Sequence, residues 1–464
     1  MAVNGARPNP SQGCELMLLR SYLLCGLATV ALLPVSAAAQ TSPRRPAAAR
    51  EAAAPAEAFV IRSPQQAVDL ALARAPVLRS AAAGIRGAQG DRLQAGLRPN
   101  PEFSFSAENF GGTRAYGGIR SLETTYGLSQ RLEVGGQRQA RIAAANDALS
   151  LTGLDAQAVR LDLVREVLRA LAMAVAAARN IEIGRERMRL SQEVVRATQA
   201  RVDAGREPFV QQRRAEVAQE TAAVALERAQ RDAEVAAQAL ATLLAAGRVD
   251  VAAARADWFD DLGPQPAAAR QVPAAPAQQL DRARLDALIA QRRSELEVQR
   301  RTAVPDVSVN AGVRRYREAG GDTSFVLGLS VPLPVFDRNQ GNIMRAGADL
   351  ARAEAEAERG RLYLDSSMVE AERRLDQAWR AANSLRRTVL PAAIEAAGFA
   401  RSGYADGKFS LLEVLDAQRV LSDVREQLNA ARLEVQQVRA DIGRLRGQAE
   451  IPDTSTAPRG TRRP

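Results

Sequence analysis

Histidine is absent from this 464-residue chain, and its two cysteines, Cys14 and Cys25, both lie near the N-terminus. Without imidazoles, and without thiolates in the rest of the chain, disulfides, zinc-type metal centres and a histidine general base are excluded. Met173, Met188, Met344 and Met368 are too scattered in sequence for a soft-metal site. Neither an enzyme nor a bound cofactor is expected. Aromatic residues make up only 4%, and the net charge of +10 comes from arginine spread among Asp and Glu, Lys408 being the only lysine. No nucleic-acid-binding module accompanies that charge, so no nucleic-acid partner is expected. Long hydrophobic runs are missing too. The apolar stretch 22–35 falls short of the ~20 residues of a spanning helix, so any membrane crossing must use strands.

That stretch reads as the core of an export signal. Arg20 precedes it, and Ala37, Ala38 and Ala39 before Gln40 form a small-residue cleavage site, assigning residues 1–39 to a signal peptide. Met17 is an alternative start. An uncleaved anchor competes with this reading, but Pro34 and the short length weigh against it, and bulky Leu24 disfavours lipid attachment at Cys25. Residues 40–62, rich in Ala, Pro and Arg, form a disordered leader, and 448–464 a disordered tail.

What the chain does contain is one pattern twice. Gly127, Leu128 and Ser129 return as Gly328, Leu329 and Ser330, and Ile142 as Ile343, a shift of 201 residues. Gly205 returns as Gly407 and Leu226 as Leu428 at a shift of 202, and Pro101-Glu102 as Pro305-Asp306 at 204. Each copy, 63–249 and 281–447, reads as short helix, β-hairpin, very long helix and a further helix, joined by a linker at 250–280. Ser63, Pro64 and Gln66 form a capping box at the first helix, and Pro76 interrupts it. The long helices are expected over 137–202 and 341–403, each spanning roughly 95 Å. The last helices cover 209–246 and 411–446, Ser410 and Glu413 capping the second. Leu421, Leu428, Val435 and Ile442 form one heptad row, and Val424, Ala431, Val438 and Leu445 another. Taken alone, these helices also suit a plain coiled-coil rod or adhesin.

The hairpins separate rod from pore. Phe103, Phe105 and Ala107 alternate with polar neighbours, as do Tyr126 and Leu128, Val307, Val309, Ala311 and Val313, and Phe325, Leu327 and Leu329. Runs of about 9–11 residues with one apolar face suit strands between lipid and water. Ordinary half-buried strands alternate likewise, but the chain has no other domain for such a sheet to cover. Four strands cannot close a barrel, and open edges are not tolerated in lipid. Several chains must contribute, and a homotrimer with about twelve strands would suffice.

With that plan in place, the chain resembles the TolC family of outer-membrane efflux channels, most nearly its cobalt–zinc–cadmium resistance branch. The resemblance rests on Asn100-Pro101-Glu102, Glu108-Asn109-Phe110, Leu128-Ser129-Gln130 with residues 133–138, and above all the Pro-Leu-Pro-Val-Phe-Asp-Arg-Asn-Gln-Gly run at 332–341. It implies a mainly α fold with a small β part: a trimeric α-helical barrel joined to a 12-stranded β-barrel in outer-membrane lipid, four strands per protomer. The implied partners are a periplasmic adaptor and an inner-membrane transporter of the resistance–nodulation–division (RND) class. The implied cargo is a divalent metal cation, with organic compounds or a secreted polypeptide as the alternative. The family's periplasmic gate falls on residues 403–410, with acidic ring positions at Glu413 and Asp416 and a hydrogen-bonding candidate in Tyr404. Phe409 stands where relatives can carry a gating arginine. Gly205 and Gly407 mark tip turns where the adaptor would dock, and both also suit plain helix C-caps.

Overall fold

The computed structural model describes residues 58–251, 257–266, 279–448 and 451. The signal peptide at 1–39, most of the leader and nearly all of the tail lie outside the described residues. Residues 58–62, assigned to the leader by composition, take part in the fold. Strand β1 (Ala58–Val60) pairs in parallel with β4 (Arg248–Asp250), and Ile61 is fully buried.

Helix α1 (Pro64–Arg74) ends before Pro76, which opens α2 (Pro76–Ala95). Ser63 caps α1 by accepting from the Gln66 N–H at 3.2 Å. The expected capping box does not close. Gln66 reaches past Ser63 to accept from the Arg62 N–H at 2.8 Å, and its amide donates to the Val60 carbonyl. The extended segment after β1 brings those groups within reach.

Strands β2 (Glu102–Glu108) and β3 (Glu123–Leu132) lead into α3 (Gln137–Asp203), which at 67 residues is about 100 Å long. Helix α4 (Phe209–Leu243) follows. After β4 comes α5 (Asp257–Asp260), whose Trp258 and Phe259 are buried in the main core with Leu171, Leu240 and Val68. The second half runs α6 (Gln279–Thr302), β5 (Val307–Tyr316), β6 (Thr323–Ser330), α7 (Gln340–Ser384), α8 (Leu390–Ala405) and α9 (Leu411–Leu445).

Where one unbroken helix was expected across 341–403, a π-helical turn at Leu385–Val389 separates α7 from α8. Pro391 explains it. Its nitrogen has no proton to donate, and its ring crowds the carbonyl one turn earlier; a wider turn relieves both.

Helix α3 packs against α1, α2, α4, α6 and α9, while α7 packs against α6 and α9. Both heptad rows of α9 face inward: Leu421, Val424, Leu428, Val435, Val438 and Ile442 are buried. The end of α9 meets the start of α6 through Arg444, which donates to Asp162 and Asp281, each at 2.7 Å. Asp281 lies in the first turn of α6 and Arg444 in the last turn of α9, so each charge also opposes its helix's terminal dipole.

The larger sheet has the order β2-β3-β5-β6, antiparallel throughout. Its register aligns the apolar alternations. Phe103 faces Leu128 and Phe105 faces Tyr126; Tyr126 and Leu128 face Val313 and Ala311; Val313, Ala311 and Val309 face Phe325, Leu327 and Leu329. One side of the sheet is thus almost wholly apolar. Gln130, opposite Val309, is one exception, its amide tied to the Pro99 carbonyl at 3.0 Å, and Thr124, Arg315 and Thr323 make the far end of that side polar. On the other side Arg314 bonds Glu123 at 3.2 Å and Thr125 at 3.0 Å.

Candidate functional site

Two helix tips meet at the end of the molecule opposite the sheet along α3, and each is closed in the same way. After α3, Gly205 adopts φ +69° while its N–H bonds Val202 O and the Arg206 N–H bonds Arg201 O. After α8, Gly407 adopts φ +76° while its N–H bonds Tyr404 O and the Lys408 N–H bonds Gly403 O. This paired pattern needs a left-handed residue at the position after the cap, which glycine supplies without steric cost. Both expected tip glycines are therefore C-caps in local geometry.

Tyr404 ties the two tips together. It is buried, its hydroxyl donates to Glu207 at 3.0 Å, and it shares a hydrogen bond with the Thr198 hydroxyl at 3.1 Å. Arg201 stacks its guanidinium 4.6 Å from the Tyr404 ring centre, donates to the Tyr404 carbonyl, and pairs with Glu207 at 3.1 Å. Burial pushes the Tyr404 phenol up, with Glu207 reinforcing the shift and Thr198 opposing it. The phenol therefore stays protonated and remains a donor.

Phe409 lies over Gly403, where any side chain would overlap its ring, and it stays 44% exposed. Phe409 brings no charge to the second turn. The structure has an ion pair at the first turn instead. At a shift of 202, Gly403 and Phe409 stand where Arg201 and Glu207 stand in the first turn. One turn supplies charge and the other an apolar lid. Reading the two tip turns side by side would have found Arg201 and Glu207; single-turn reading missed them, along with Thr198.

Glu413 and Asp416 are both exposed on the first turns of α9. Glu413 accepts from the Ser410 N–H at 2.6 Å and from its hydroxyl at 3.0 Å, so it serves as the helix cap. Asp416 pairs with Arg419 at 3.0 Å. Between the tips of α3, α8 and α9 lies a cleft of about 560 Å³, lined by Tyr404, Arg201, Arg206, Arg401, Glu193 and Gln418 among others. Gln418 is buried beside it, and its amide nitrogen has no hydrogen-bond partner. Among the described residues no group of acidic side chains is arranged to hold a metal ion.

At the sheet, Phe103, Phe105, Tyr126, Leu128, Phe325, Leu327 and Leu329 are exposed, Phe325 by 93%, while Val307 and Val309 on the flanked strand β5 are half-buried. An apolar face this continuous and uncovered marks an interaction surface. No described helix is long and apolar enough to cross a membrane.

The profile of the family described as outer membrane efflux protein matches residues 67–246 and 272–448. The cobalt-zinc-cadmium resistance protein CzcC of Cupriavidus metallidurans is 30% identical over 436 residues, covering 92% of this chain and all of that protein. The nickel-cobalt-cadmium resistance protein NccC of Alcaligenes xylosoxydans xylosoxydans is 28% identical over 315 residues, 65% of this chain and 67% of its own length. Among solved structures, the outer-membrane channel OprN superposes with a TM-score of 0.69 at 21% identity, covering 83% of this chain and 89% of its own. CusC gives 0.69 at 19% identity, with 83% and 92% covered. With its mainly helical architecture and small antiparallel sheet, the chain belongs to the outer membrane efflux protein family of TolC-type channels, which are conduits and not enzymes.

Proposed function

We propose that the protein is the outer-membrane channel of a tripartite efflux system and conducts divalent metal cations passively as a homotrimer. The observation that carries this is the four-stranded sheet, apolar along one face and open at both edges, β2 and β6. An unpaired edge in hydrocarbon leaves backbone groups unsatisfied at several kcal/mol each, so the sheet requires partners. Three copies joined β6 to β2 would close twelve strands, with Phe103, Phe105, Tyr126, Leu128 and Phe325 toward lipid and Arg314 and Glu123 toward water. The two hairpins, each set between a shorter and a very long helix, support a two-fold internal repeat at 63–249 and 281–447. The export signal at 1–39 belongs to the same reading, which places the sheet in the outer membrane of a Gram-negative bacterium and the helices in its periplasm.

The tips around Gly205 and Gly407 would receive a periplasmic adaptor, and an RND-class transporter of the inner membrane would supply the energy. Glu413 and Asp416, brought together three times about the axis, would favour cations over anions at the gate. Metal cargo is supported by the names of the relatives, which are cobalt, zinc, cadmium and nickel resistance proteins. Family membership sets aside the coiled-coil rod and adhesin reading.

Deletion of the gene tests the cargo. Sensitivity to zinc, cobalt or cadmium should rise, restored by the intact gene. Unchanged metal tolerance with raised drug sensitivity would refute metal export. In planar bilayers, Glu413→Ala with Asp416→Ala should weaken blockade by divalent cations, and unchanged blockade would remove both from the gate.

A further inference from the structure

We propose that the β6–α7 connection, residues 331–338, is an intersubunit lock that seats on the end of α2 in the neighbouring copy of this chain. This rests on the trimeric-barrel reading. The same contact is already made once within a protomer. At the start of α3, Gln137 is buried and its amide donates to the Val304 carbonyl at 2.8 Å and to Asp306 at 2.9 Å, fastening onto the chain just past α6. Gly135 lies so close that a Cβ there would sit 2.5 Å from the Cβ of Val304. From a second direction, Asn339 at the start of α7 donates to the Gln299 carbonyl at 2.7 Å. The end of α6 is therefore fastened by both α3 and α7.

Helix α2 precedes the first hairpin as α6 precedes the second. Its end is fastened by the β3–α3 region, Arg138 donating to the Gly96 carbonyl at 2.6 Å and Gln130 to that of Pro99. The apolar residues there remain uncovered: Leu93 is 72% and Leu97 51% exposed. The β6–α7 connection is the complementary loose end. Residues 331–338 are exposed throughout, with Leu333 at 79% and Phe336 at 91%. Pro332 and Pro334 restrict that segment before docking, which lowers the entropy lost on seating.

Barrel closure would place the two surfaces side by side. Neighbouring strands in this sheet are antiparallel, so β6 would run antiparallel to β2 of the next copy, bringing the end of one to the start of the other. Residue 331 onward leaves β6 at that rim, and residues up to 101 enter β2 there. The repeat supplies the pairing. The shift of 201 carries Gly135 to Phe336 and Gln137 to Arg338; the shift of 204 carries Val304 to Asn100 and Asp306 to Glu102. Phe336 would cover Leu97 and Asn100 of the neighbouring copy, and Arg338 would pair with its Glu102. The amide–carboxylate contact inside the protomer becomes a guanidinium–carboxylate contact between protomers.

Cysteine cross-linking tests this directly, because Cys14 and Cys25 are the only native cysteines and both precede residue 40. Phe336→Cys with Leu97→Cys should give disulfide-linked multimers in outer-membrane fractions, lost on reduction. Leu329→Cys with Ala107→Cys at the sheet edges, the pair to which the same shifts carry Leu128 and Ala311, is the control. Cross-linking of the control pair alone would overturn the lock and leave the barrel standing; failure of both pairs would overturn the barrel reading with it. Strong quenching of a fluorophore on Phe336→Cys by lipid-borne quenchers, without the cross-link, would assign the segment to the bilayer surface and overturn the lock. Arg338→Glu and Glu102→Arg should each lower the temperature at which detergent-solubilised multimers dissociate. The two together should restore it, and failure to restore would remove that pair.

Discussion

At the scale of single residues, the tip is held by one phenol. The Tyr404 hydroxyl has two partners, Thr198 and Glu207, on different segments of the first half, and all three are withdrawn from solvent to different degrees. Removing it leaves Glu207 short of a donor. Tyr404→Phe should therefore cost about 1–2 kcal/mol, read as an earlier thermal transition of the purified protein, and should raise the open fraction in single-channel recordings. A second residue-scale prediction concerns acid. Burial pushes the Asp281 carboxyl up, but hydrogen bonds from Arg444 and Arg284 outweigh it and leave the group below its usual value. A carboxyl depressed on folding contributes stability that is complete above its unfolded value, about pH 4, and is lost as pH falls through the lower folded value. In acid-unfolding curves, Asp281→Asn should flatten that loss while lowering stability at neutral pH.

At the scale of elements, turns and helices show how far local chemistry carries. Gly407 holds φ +76° within a bonded turn, and an alanine there would cost about 1–2 kcal/mol. Gly398, inside α8 with open space around its would-be Cβ, is the contrast. Gly407→Ala should lower the melting temperature while Gly398→Ala should raise it slightly, and equal effects would refute the turn argument. Helix ends, tip turns and all four strands of the larger sheet were legible in sequence, because caps, glycines and alternation act over a few residues. The π turn at 385–389 is also signalled, by Pro391, within a span whose helical pattern otherwise predicts one unbroken helix. The reach of Gln66 to Arg62 and Val60 was not legible, since it depends on β1 pairing with a strand nearly two hundred residues away.

At the scale of the whole molecule, the decisive quantity is how each sheet face responds to charge. Leu327 points from the apolar face and Asn310 from the other. If the apolar face meets lipid, Leu327→Arg should cost about 2–4 kcal/mol near the bilayer middle, seen as loss of folded multimer from outer-membrane fractions. Asn310→Arg should assemble normally and alter ion selectivity. Tolerance of both arginines would mean that the sheet does not sit in a membrane.

The amino-acid order alone determined most of the helices, the four strands of the larger sheet, the lack of imidazoles and of thiols beyond Cys25, and the family, because each is written in near-neighbour spacing or in residue identity. It also singled out Tyr404 and the turn glycines at the tips. Only the tertiary structure decided what they touch. Thr198, Arg201 and Glu207 reach Tyr404 across about two hundred residues of chain, and Gln137 finds Val304 across 167. Such pairings depend on which helix lies beside which, and that is fixed by burial of many small side chains together rather than by any local signal.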